Sequence, residues 1–476
     1  MTEIPKQINN WIEGKETPAI AREWFDKLNP VNGTLLCQAA RSRVADIDTA
    51  VESAKANQPS WADIPPVQRG QILHNIVLGM KTHQEKIAQI VAAETGKSFE
   101  DAYGETEGAI ALGLFYASEG QRLYGRTTTS GNLNKYAMTV RQPLGVAGLI
   151  IAANTPIANV AWKVFPALIC GNSAVLKAAE DTPATAWFFG KVALESGLPA
   201  GVLNIIQGYG LEAGAPLVAH PDLAVVSFTG STAVGKVIQR VAGDRLARVS
   251  LELGGKNPLV VCDDADLENA VKWTILSAFS NAGQRCASAS RIIIFASIYD
   301  IFREKLVEAT KQVKIGPVIN EKQLNNMLAA VGRAKEEGAK ILIGGSRLPG
   351  EGYFMAPTLI ENVSPQAEIS QQELFGPIAI LYCVQDFESA LALANDSPYG
   401  LTASMHTRSI HRAVKFCEKV QTGVAVVNAG TYGSEPHMPF GGLKQSGNGT
   451  REPGTEALDV YSELKDIYIN IDPEQL

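Results

Sequence analysis

The sequence predicts an α/β protein with two domains, each built around a parallel sheet. Three observations support this. From residue 145 onward, short β-branched runs alternate with helical stretches, and each run ends in a Gly, Pro or Asn turn. The alternation starts again after Gly254, which places a junction near residues 250–255. Before residue 125, apolar residues instead recur at steps of three and four, as they do in amphipathic helices.

The elements follow from these patterns in chain order. Helices are predicted over 45–58, 66–96 and 99–122. A buried strand over 146–151 leads through a polar turn to a helix that begins near Pro156. The other predicted strands are 174–177, 203–206 and 225–228 in the first series and 259–261, 291–294, 340–343 and 425–428 in the second, with helices over 184–196 and 232–242.

The composition is that of a globular protein of enzyme size. The chain has 476 residues, of which 46% are hydrophobic and 19% charged, enough for two to four units at roughly 100–200 residues each. The 42 Lys and Arg against 49 Asp and Glu give a net charge of −7, so we expect no nucleic-acid partner and no polybasic membrane contact. The uncharged run 142–162 is long enough to cross a bilayer, but Gly148, Asn154 and Pro156 interrupt it, and we predict no membrane span.

The cysteines and histidines predict neither disulfides nor a metal site. No CxxC pair occurs, and the six histidines lack metal-ligand spacing. The amino terminus carries acids early and has no apolar signal region. Scattered free thiols and no signal segment together predict a cytoplasmic protein. The cysteines are Cys37, Cys170, Cys262, Cys286, Cys383 and Cys417.

The segment FTGSTAVG follows a predicted strand and opens a helix. Gly230 allows close approach of the backbone, and Ser231 can cap the helix whose amides face an anion. An ordinary helix start explains the same residues equally well. The segment is not the GxGxxG fingerprint, which the run 208–214 only approximates.

Two polar side chains lie in apolar contexts. Glu252 stands between two leucines and ahead of two glycines in LELGGKNP. It is either a charge at a strand edge or a partly buried general base with a raised pKa. Asn154 follows the buried strand in AANTP, so its amide needs a partner. A turn-forming Asn and an oxyanion donor are both open.

Cys286 differs from the other cysteines in its neighbours. In NAGQRCASASR it is surrounded by small and polar residues instead of the apolar packing that a structural thiol prefers. We expect the preceding Arg285 and nearby helix amides to favour its thiolate form. The other five cysteines are assigned to structure.

Together and in this order, these segments resemble the aldehyde dehydrogenase superfamily. The resemblance covers essentially the whole chain and includes INNWIEGK, NPVNG, AWKVFPALICGNSAVLKAAEDTP, QELFGP, SPYGL and PFGGLKQSGNG. It implies NAD(P)-dependent oxidation of an aldehyde to a carboxylic acid. The implied path is thiohemiacetal formation on a cysteine, hydride transfer to the nicotinamide, and hydrolysis of the resulting thioester.

The resemblance implies a role for each matching residue. Cys286 is the nucleophile, Asn154 holds the oxyanion together with the backbone N–H of Cys286, and Glu252 activates water. On the cofactor side, Lys177 and Glu180 hold the adenosine ribose, Gly230 and Ser231 lie near the pyrophosphate, Glu373 and Phe375 seat the nicotinamide and its ribose, and Gln323 is a weaker match on the adenosine side. NAD is expected before NADP, because Glu180 would accept ribose hydroxyls and repel a 2′-phosphate.

A domain division also comes from the resemblance. Residues 1–125 and 143–253 would form a Rossmann-like dinucleotide-binding domain, and 254–428 a second α/β catalytic domain. Residues 126–142 and 456–476 would form a small β oligomerisation extension of a homodimer or homotetramer.

The sequence departs from the family pattern in three places. Ala153 stands where an aromatic residue is usual before the oxyanion Asn, which is expected to reshape the substrate entrance. The stretch 313–317 is short, so a surface loop is expected to be missing, and the spacing between Gly449 and Glu452 is longer than usual. None of these departures falls on the three catalytic positions.

Arg285 carries the substrate prediction. GQRC resembles the version found in members that oxidise semialdehydes with a distal carboxylate, and an Arg fork can bind both carboxylate oxygens. We therefore rank α-ketoglutarate semialdehyde first. An aromatic or medium-chain aldehyde is the alternative. A CoA-acylating semialdehyde dehydrogenase is opposed by Glu252, and a structural protein without chemistry is opposed by the intact catalytic residues.

Overall fold

Two seven-stranded sheets organise the chain in the computed structural model, which describes residues 4–475. In chain order the strands are Gln7–Ile8 (β1), Asn10–Ile12 (β2), Lys15–Thr17 (β3), Trp24–Leu28 (β4), Leu35–Ala40 (β5), Thr127–Thr129 (β6), Lys135–Pro143 (β7), Val146–Ile150 (β8), Ser173–Lys177 (β9), Leu203–Ile206 (β10), Leu223–Thr229 (β11), Arg248–Glu252 (β12), Asn257–Val261 (β13), Ala289–Phe295 (β14), Lys340–Ile343 (β15), Thr358–Glu361 (β16), Ile378–Val384 (β17), Tyr399–Gly400 (β18), Thr402–His406 (β19), Val424–Val427 (β20), Leu443–Lys444 (β21) and Ser462–Asn470 (β22).

The helices fall between these strands. In chain order they are Val44–Asp63 (α1), Pro66–Thr82 (α2), Gln84–Thr95 (α3), Phe99–Glu119 (α4), Pro156–Ile169 (α5), Pro183–Glu195 (α6), Ala215–Ala219 (α7), Thr232–Gly243 (α8), Leu267–Phe279 (α9), Tyr299–Lys311 (α10), Glu321–Glu336 (α11), Glu368–Gln371 (α12), Phe387–Asn395 (α13), Ile410–Lys419 (α14) and Ala457–Tyr461 (α15). Among residues 4–475, no helix has both the length and the hydropathy to cross a membrane.

The first sheet has the strand order β12-β11-β8-β9-β10-β2-β3, with β12 to β10 parallel and the edge strands β2 and β3 antiparallel. Consecutive side chains of β8 belong to apolar clusters on opposite faces of the sheet. Leu149 packs with α2 to α6, whereas Ile150 packs with α1 and α8. Both faces of the sheet are therefore covered, which explains why its central strands are rich in apolar residues and do not alternate with polar ones.

The second sheet has the order β15-β16-β17-β14-β13-β19-β20 and is parallel except for β15. It too has an apolar cluster on each face, since Val260 and Leu259 enter different clusters. The predicted α/β fold with helices on both faces of parallel sheets is confirmed. The first sheet ends with β12 at Glu252 and the second begins with β13 at Asn257.

Strand register places several predicted site residues at one edge of the first sheet. Lys177 pairs with Ile150, which pairs with Phe228, and Thr229 pairs with Glu252. Because these strands are parallel, their carboxyl ends meet at the same edge, where ligands of open α/β sheets bind.

The structure differs from the predicted elements in several places, and the second sheet contains strands β16, β17 and β19 that were not predicted. The helix predicted over 66–96 is two helices, because the backbone of His83 leaves the helical region. In the predicted β extension, β22 pairs with β7 and β7 with β6, but Ala457–Tyr461 is helical and packs Leu458 and Tyr461 into the core. A three-stranded sheet of β1, β5 and β4 near the amino terminus was not predicted.

Candidate active site

A cavity of about 380 Å³ lies where the carboxyl edge of the first sheet meets loops of the second. It brings together most of the residues that the sequence predicted for the site. Those that line it are Asn154, Gly230, Ser231, Glu252, Cys286, Gln323, Glu373 and Phe375. Ala152 also lines it, whereas Ala153 is not among the lining residues.

Glu252 is the last residue of β12 and is buried at the cavity wall. Neither of its carboxylate oxygens has a hydrogen-bond partner within residues 4–475. Burial raises the pKa of Glu252 well above its usual value, and the nearby Glu452 adds to the rise, while Lys163 and Arg451 oppose it. Glu252 is thus more buried than predicted and its pKa is raised as predicted, while its role as general base stays a prediction.

Cys286 follows a turn of unusual backbone conformation. Asn281, Ala282 and Gly283 all have positive φ, at 51°, 53° and 69°. A side chain at Gly283 would lie 2.2 Å from the carbonyl oxygen of Gly376, so this position has no room for a Cβ. Such consecutive left-handed residues are strained and are held only when the surrounding structure fixes them.

The prediction that the surroundings of Cys286 favour a thiolate is wrong for this ligand-free structure. The pKa of the Cys286 thiol is raised to about 12, chiefly by burial and in addition by the carboxyls of Glu373 and Glu252. The Ala287 N–H and Arg285 act in the opposite direction but are outweighed. The thiol is therefore neutral near pH 7, and its proton needs an acceptor.

Asn154 lies directly beside the Cys286 segment. Its Nδ2 donates one hydrogen bond to the carbonyl oxygen of Gln284 at 3.0 Å, which leaves the second N–H of the amide for another acceptor. Its backbone carbonyl accepts from Lys97 Nζ at 2.8 Å and from Asn281 Nδ2 at 3.2 Å. The structure therefore ties the predicted oxyanion donor to the segment that carries the nucleophile.

Ser231 caps α8, as predicted, through a hydrogen bond that its Oγ accepts from Val234 N at 3.4 Å. A Cβ at Gly230 would lie 2.4 Å from the Phe228 ring, so only glycine fits. The Thr229 hydroxyl beside them is buried and has no partner within residues 4–475. The amino-terminal end of α8 and its unpaired amides thus open at the cavity wall.

Lys177 and Glu180 form an ion pair at the carboxyl end of β9, with Nζ and Oε2 2.8 Å apart. Burial alone would raise the pKa of Glu180, but the Lys177 ammonium lowers it. Neither residue lines the 380 Å³ cavity. They lie further along the same sheet edge, with Glu180 reaching solvent.

Glu373 and Phe375 approach the cavity from the second sheet. Glu373 Oε1 accepts from Gly255 N at 3.1 Å, and burial raises the pKa of Glu373 to about 7. Phe375 has a φ of 56°, which is rare for an aromatic residue. Gln323, expected on the adenosine side, instead donates from Nε2 to the Leu374 carbonyl at 2.7 Å.

Arg285 does not line the cavity. Its guanidinium lies over the ring of Tyr432, with 4.9 Å between Cζ and the ring centre. Its Nε is buried and has no partner within residues 4–475. A role in binding a substrate carboxylate stays a prediction.

Sequence reasoning missed several residues that shape the site. Trp162 and Phe440 line the cavity, with ring centres 5.4 Å apart in an edge-to-face arrangement. They are far apart in the chain, so no local spacing could reveal them. Asn257 Nδ2 donates to the carbonyls of Cys286 and Ser288 at 2.8 and 2.9 Å, and its position after Gly-Gly-Lys was the available signal.

The remaining cysteines divide into two groups. Cys37, Cys170 and Cys262 are buried, whereas Cys383 and Cys417 are exposed on β17 and α14. All six thiols are free. Within residues 4–475, no group of three or more His, Cys, Asp and Glu side chains is placed to hold a metal ion.

The comparisons with known proteins agree with this geometry. A family model described as the aldehyde dehydrogenase family matches residues 17–467. The α-ketoglutaric semialdehyde dehydrogenase of Bacillus subtilis is 37% identical over 475 residues, which cover 97% of each protein. The chain belongs to the aldehyde dehydrogenase family. The prediction of this family and enzyme class is confirmed.

Two further relatives show how broad the family is. Retinaldehyde dehydrogenase 3 of Rattus norvegicus is 36% identical over 480 residues, with 98% of this chain and 92% of the relative covered. The structure of betaine aldehyde dehydrogenase from Staphylococcus aureus in complex with NAD+ superimposes with a TM-score of 0.95 at 32% identity, covering 98% of this chain and 95% of that one. The names of these relatives thus refer to three different aldehydes.

Proposed function

We propose that this chain oxidises an aldehyde to its carboxylic acid by covalent catalysis on Cys286, with NAD as the oxidant. The observation that supports the proposal is the convergence of Cys286, Glu252 and Asn154 on one cavity. A nucleophile, an unpartnered base and a free amide N–H are the groups that acyl transfer through a thioester requires.

The cofactor side of the cavity fits a dinucleotide. Gly230 and Gly254 leave no room for a Cβ, so backbone can approach a bound group closely. Ser231 and the amides of α8 would hold the pyrophosphate, Lys177 and Glu180 the adenosine ribose, and Glu373 and Phe375 the nicotinamide end. When bound, NAD accepts a hydride from the carbon that Cys286 has attacked. NADP is less favoured because the Glu180 carboxylate would repel a 2′-phosphate.

In the first half-reaction the chain must activate a neutral thiol and stabilise an alkoxide. Glu252 is suited to accept the thiol proton, because its oxygens are unpartnered and its pKa is raised. Addition of the Cys286 sulfur to the carbonyl carbon places negative charge on the aldehyde oxygen. The free N–H of Asn154 and the Cys286 N–H stabilise that charge, and one such donor is typically worth about 3–4 kcal/mol.

Before the second half-reaction Glu252 releases the thiol proton to solvent, and its carboxylate then takes a proton from the water that attacks the thioester. The Cys286 sulfur leaves as thiolate and takes that proton back to become the free thiol, and the product is a carboxylic acid. An unpartnered carboxyl at this point argues against CoA as the acyl acceptor. Product analysis with and without added CoA tests this, and an acyl-CoA product would overturn the hydrolytic assignment.

Cys286→Ala tests the covalent mechanism. We expect loss of both dehydrogenase and esterase activity with unchanged NAD affinity, since no other residue supplies the sulfur. Cys417→Ala, which removes an exposed thiol on α14, is the matched control and should keep full activity. Turnover by Cys286→Ala within tenfold of the parent enzyme would refute the assignment.

For the substrate we propose an acidic semialdehyde, with α-ketoglutarate semialdehyde first. Arg285 precedes Cys286 in the chain and its buried Nε has no partner within residues 4–475, so its guanidinium would have to turn from Tyr432 toward the cavity to bind a carboxylate. Thr155 and Asn159 already make part of the cavity wall polar. The name of the Bacillus subtilis relative supports the same class. The second candidate is an aromatic or medium-chain aldehyde, which the apolar wall of Trp162 and Phe440 favours.

Arg285→Met separates the two candidates when it is assayed on an ω-carboxy aldehyde and on its uncharged analogue of equal length. The acidic class predicts a loss of about 2 kcal/mol or more in kcat/KM for the carboxylate substrate only. Arg245→Met is the control, because Arg245 is also partly buried with unpartnered nitrogens but follows the far end of α8. Equal losses on both substrates would mean that Arg285 serves the thiol instead.

For the oligomeric state we propose a homodimer or a homotetramer. The sheet of β6, β7 and β22 exposes Tyr136, Leu464 and Tyr468, which a second copy could cover. Sedimentation of the purified protein distinguishes these states, and a monomer at micromolar concentration would contradict both. The cytoplasmic location stays a prediction.

A further inference from the structure

A buried ion pair lies directly behind the turn that carries Asn154. Lys97 follows α3 and Glu105 belongs to α4, and their side chains are almost fully buried. Lys97 Nζ lies 2.6 Å from Glu105 Oε2 and donates to the Asn154 carbonyl at 2.8 Å. None of the catalytic steps described above uses this pair.

The second oxygen of Glu105 binds the start of α5. It accepts from Ile157 N at 3.0 Å and from Ala158 N at 3.3 Å. These are amides of the first helical turn, and Thr155, at the N-cap position, makes no side-chain cap. Glu105 therefore caps α5 from another helix, with its charge at the favourable end of the helix dipole.

The pair thus forms hydrogen bonds with both ends of the turn between β8 and α5. Lys97 fixes the Asn154 carbonyl at one end, and Glu105 fixes two amides at the other. The two charges neutralise each other, which permits burial of a carboxylate at this place. These contacts restrict the backbone of Asn154. One N–H of its side-chain amide therefore stays on the Gln284 carbonyl, and the other stays available to an oxyanion.

We propose that Lys97 and Glu105 are positioning residues that hold Asn154 in the orientation needed to stabilise the oxyanion. The inference rests on the proposed role of Asn154. Oxyanion donors act only when they are aimed before the charge develops, and a displacement of about 1 Å far from the reacting atoms can lower a rate by about a hundredfold. A clamp on the backbone of the donor is a direct way to meet that requirement.

The test is a cycle of kcat/KM values for the aldehyde at saturating NAD. Lys97→Met combined with Glu105→Gln removes both charges and leaves neither partner buried alone. We expect this double change to lower kcat/KM by about tenfold or more in the parent, but by less than twofold in the Asn154→Ala background. Once the donor is absent, its position no longer matters.

Glu94→Gln is the matched control. Glu94 is another buried carboxylate that caps a helix, since it accepts from Ala184 N and Thr185 N at the start of α6. Its effect should be the same in both backgrounds, because it does not touch the Asn154 turn. If the double change is too unstable to purify, the single change Glu105→Gln runs through the same cycle.

The outcomes are distinct. Equal losses in both backgrounds would show that the pair serves stability alone and would overturn this inference while leaving the catalytic assignment intact. No effect of Asn154→Ala itself would instead refute the proposed role of Asn154, and the positioning role with it. A loss of kcat/KM that occurs only when Asn154 is intact supports the positioning role of Lys97 and Glu105.

Discussion

Replacing Glu252 with Gln should separate the two half-reactions of this enzyme. The amide has nearly the shape of the carboxyl, so it fits the same buried site at the end of β12. It cannot accept a proton at neutral pH. The change therefore removes base function with little change in packing.

The expected size follows from the surroundings of Glu252. Burial holds its pKa well above the ordinary range, which makes its ionised form a stronger base, and neither oxygen has a partner within residues 4–475. A positioned general base typically contributes a factor of about 10²–10⁴. We expect deacylation to fall by that factor, equivalent to about 3–5 kcal/mol, with a smaller effect on hydride transfer.

Stopped-flow measurement of NADH formation checks this. With deacylation slowed more than acylation, a burst should appear whose amplitude approaches one NADH per active site, followed by a steady rate reduced by about 10²–10⁴-fold. Burst and steady rates that fall by the same factor would show that Glu252 chiefly activates the thiol. Unchanged steady turnover would remove Glu252 from the mechanism.

Three further predictions concern stability and cofactor binding. The pKa of Glu373 is about 7 in the folded protein against an ordinary 4.5, so the free energy of unfolding falls as the pH rises between these values. Glu373→Gln should therefore raise Tm at pH 8 but not at pH 4. An equal shift of Tm at both pH values would contradict this. Lys163→Met removes the cation 3.0 Å from the fully buried Glu452 and leaves it only the hydroxyls of Ser227 and Tyr461. The change should destabilise the protein by about 3–5 kcal/mol in denaturant unfolding, and a loss of less than about 1 kcal/mol would refute this. A Cβ at Gly254 would lie 1.9 Å from Glu373 Oε2, so Gly254→Ala should raise the Kd for NAD by about tenfold or more. Gly243→Ala, which meets open space, should leave it unchanged.

Most of the fold could be predicted because its elements carry local signals. The strands predicted over 203–206 and 340–343 coincide with β10 and β15, and the others differ from the structure by a few residues at their ends. Some missed strands, such as β17, are apolar runs that carry a local signal, whereas others depend on distant partners. β1 has two residues and exists because Gln7 and Ile8 pair with β5 some thirty residues later. No periodicity can be seen in so short a segment.

The site was predicted in its residues but not in its electrostatics. The small and polar neighbours of Cys286 singled it out as the candidate nucleophile and the flanking leucines singled out Glu252, and both residues line the cavity. Arg285 was visible next to Cys286 in the sequence, whereas Glu373 reaches the thiol only through the fold. Burial and distant carboxyls therefore determine the thiol pKa, and a local pattern contains neither.

The six residues 252–257 explain why the catalytic groups act as one unit. Glu252 ends the last strand of the first sheet, and Asn257 begins a central strand of the second. Between them, Gly255 N binds Glu373, while the Asn257 side chain binds the carbonyl of Cys286. The base, the nucleophile and the carboxyl on the cofactor side are thus all anchored to a single crossing between the sheets. A shift of one sheet against the other would move Glu252 away from Cys286 and Glu373, and the short connection 252–257 is the covalent link that opposes such a shift.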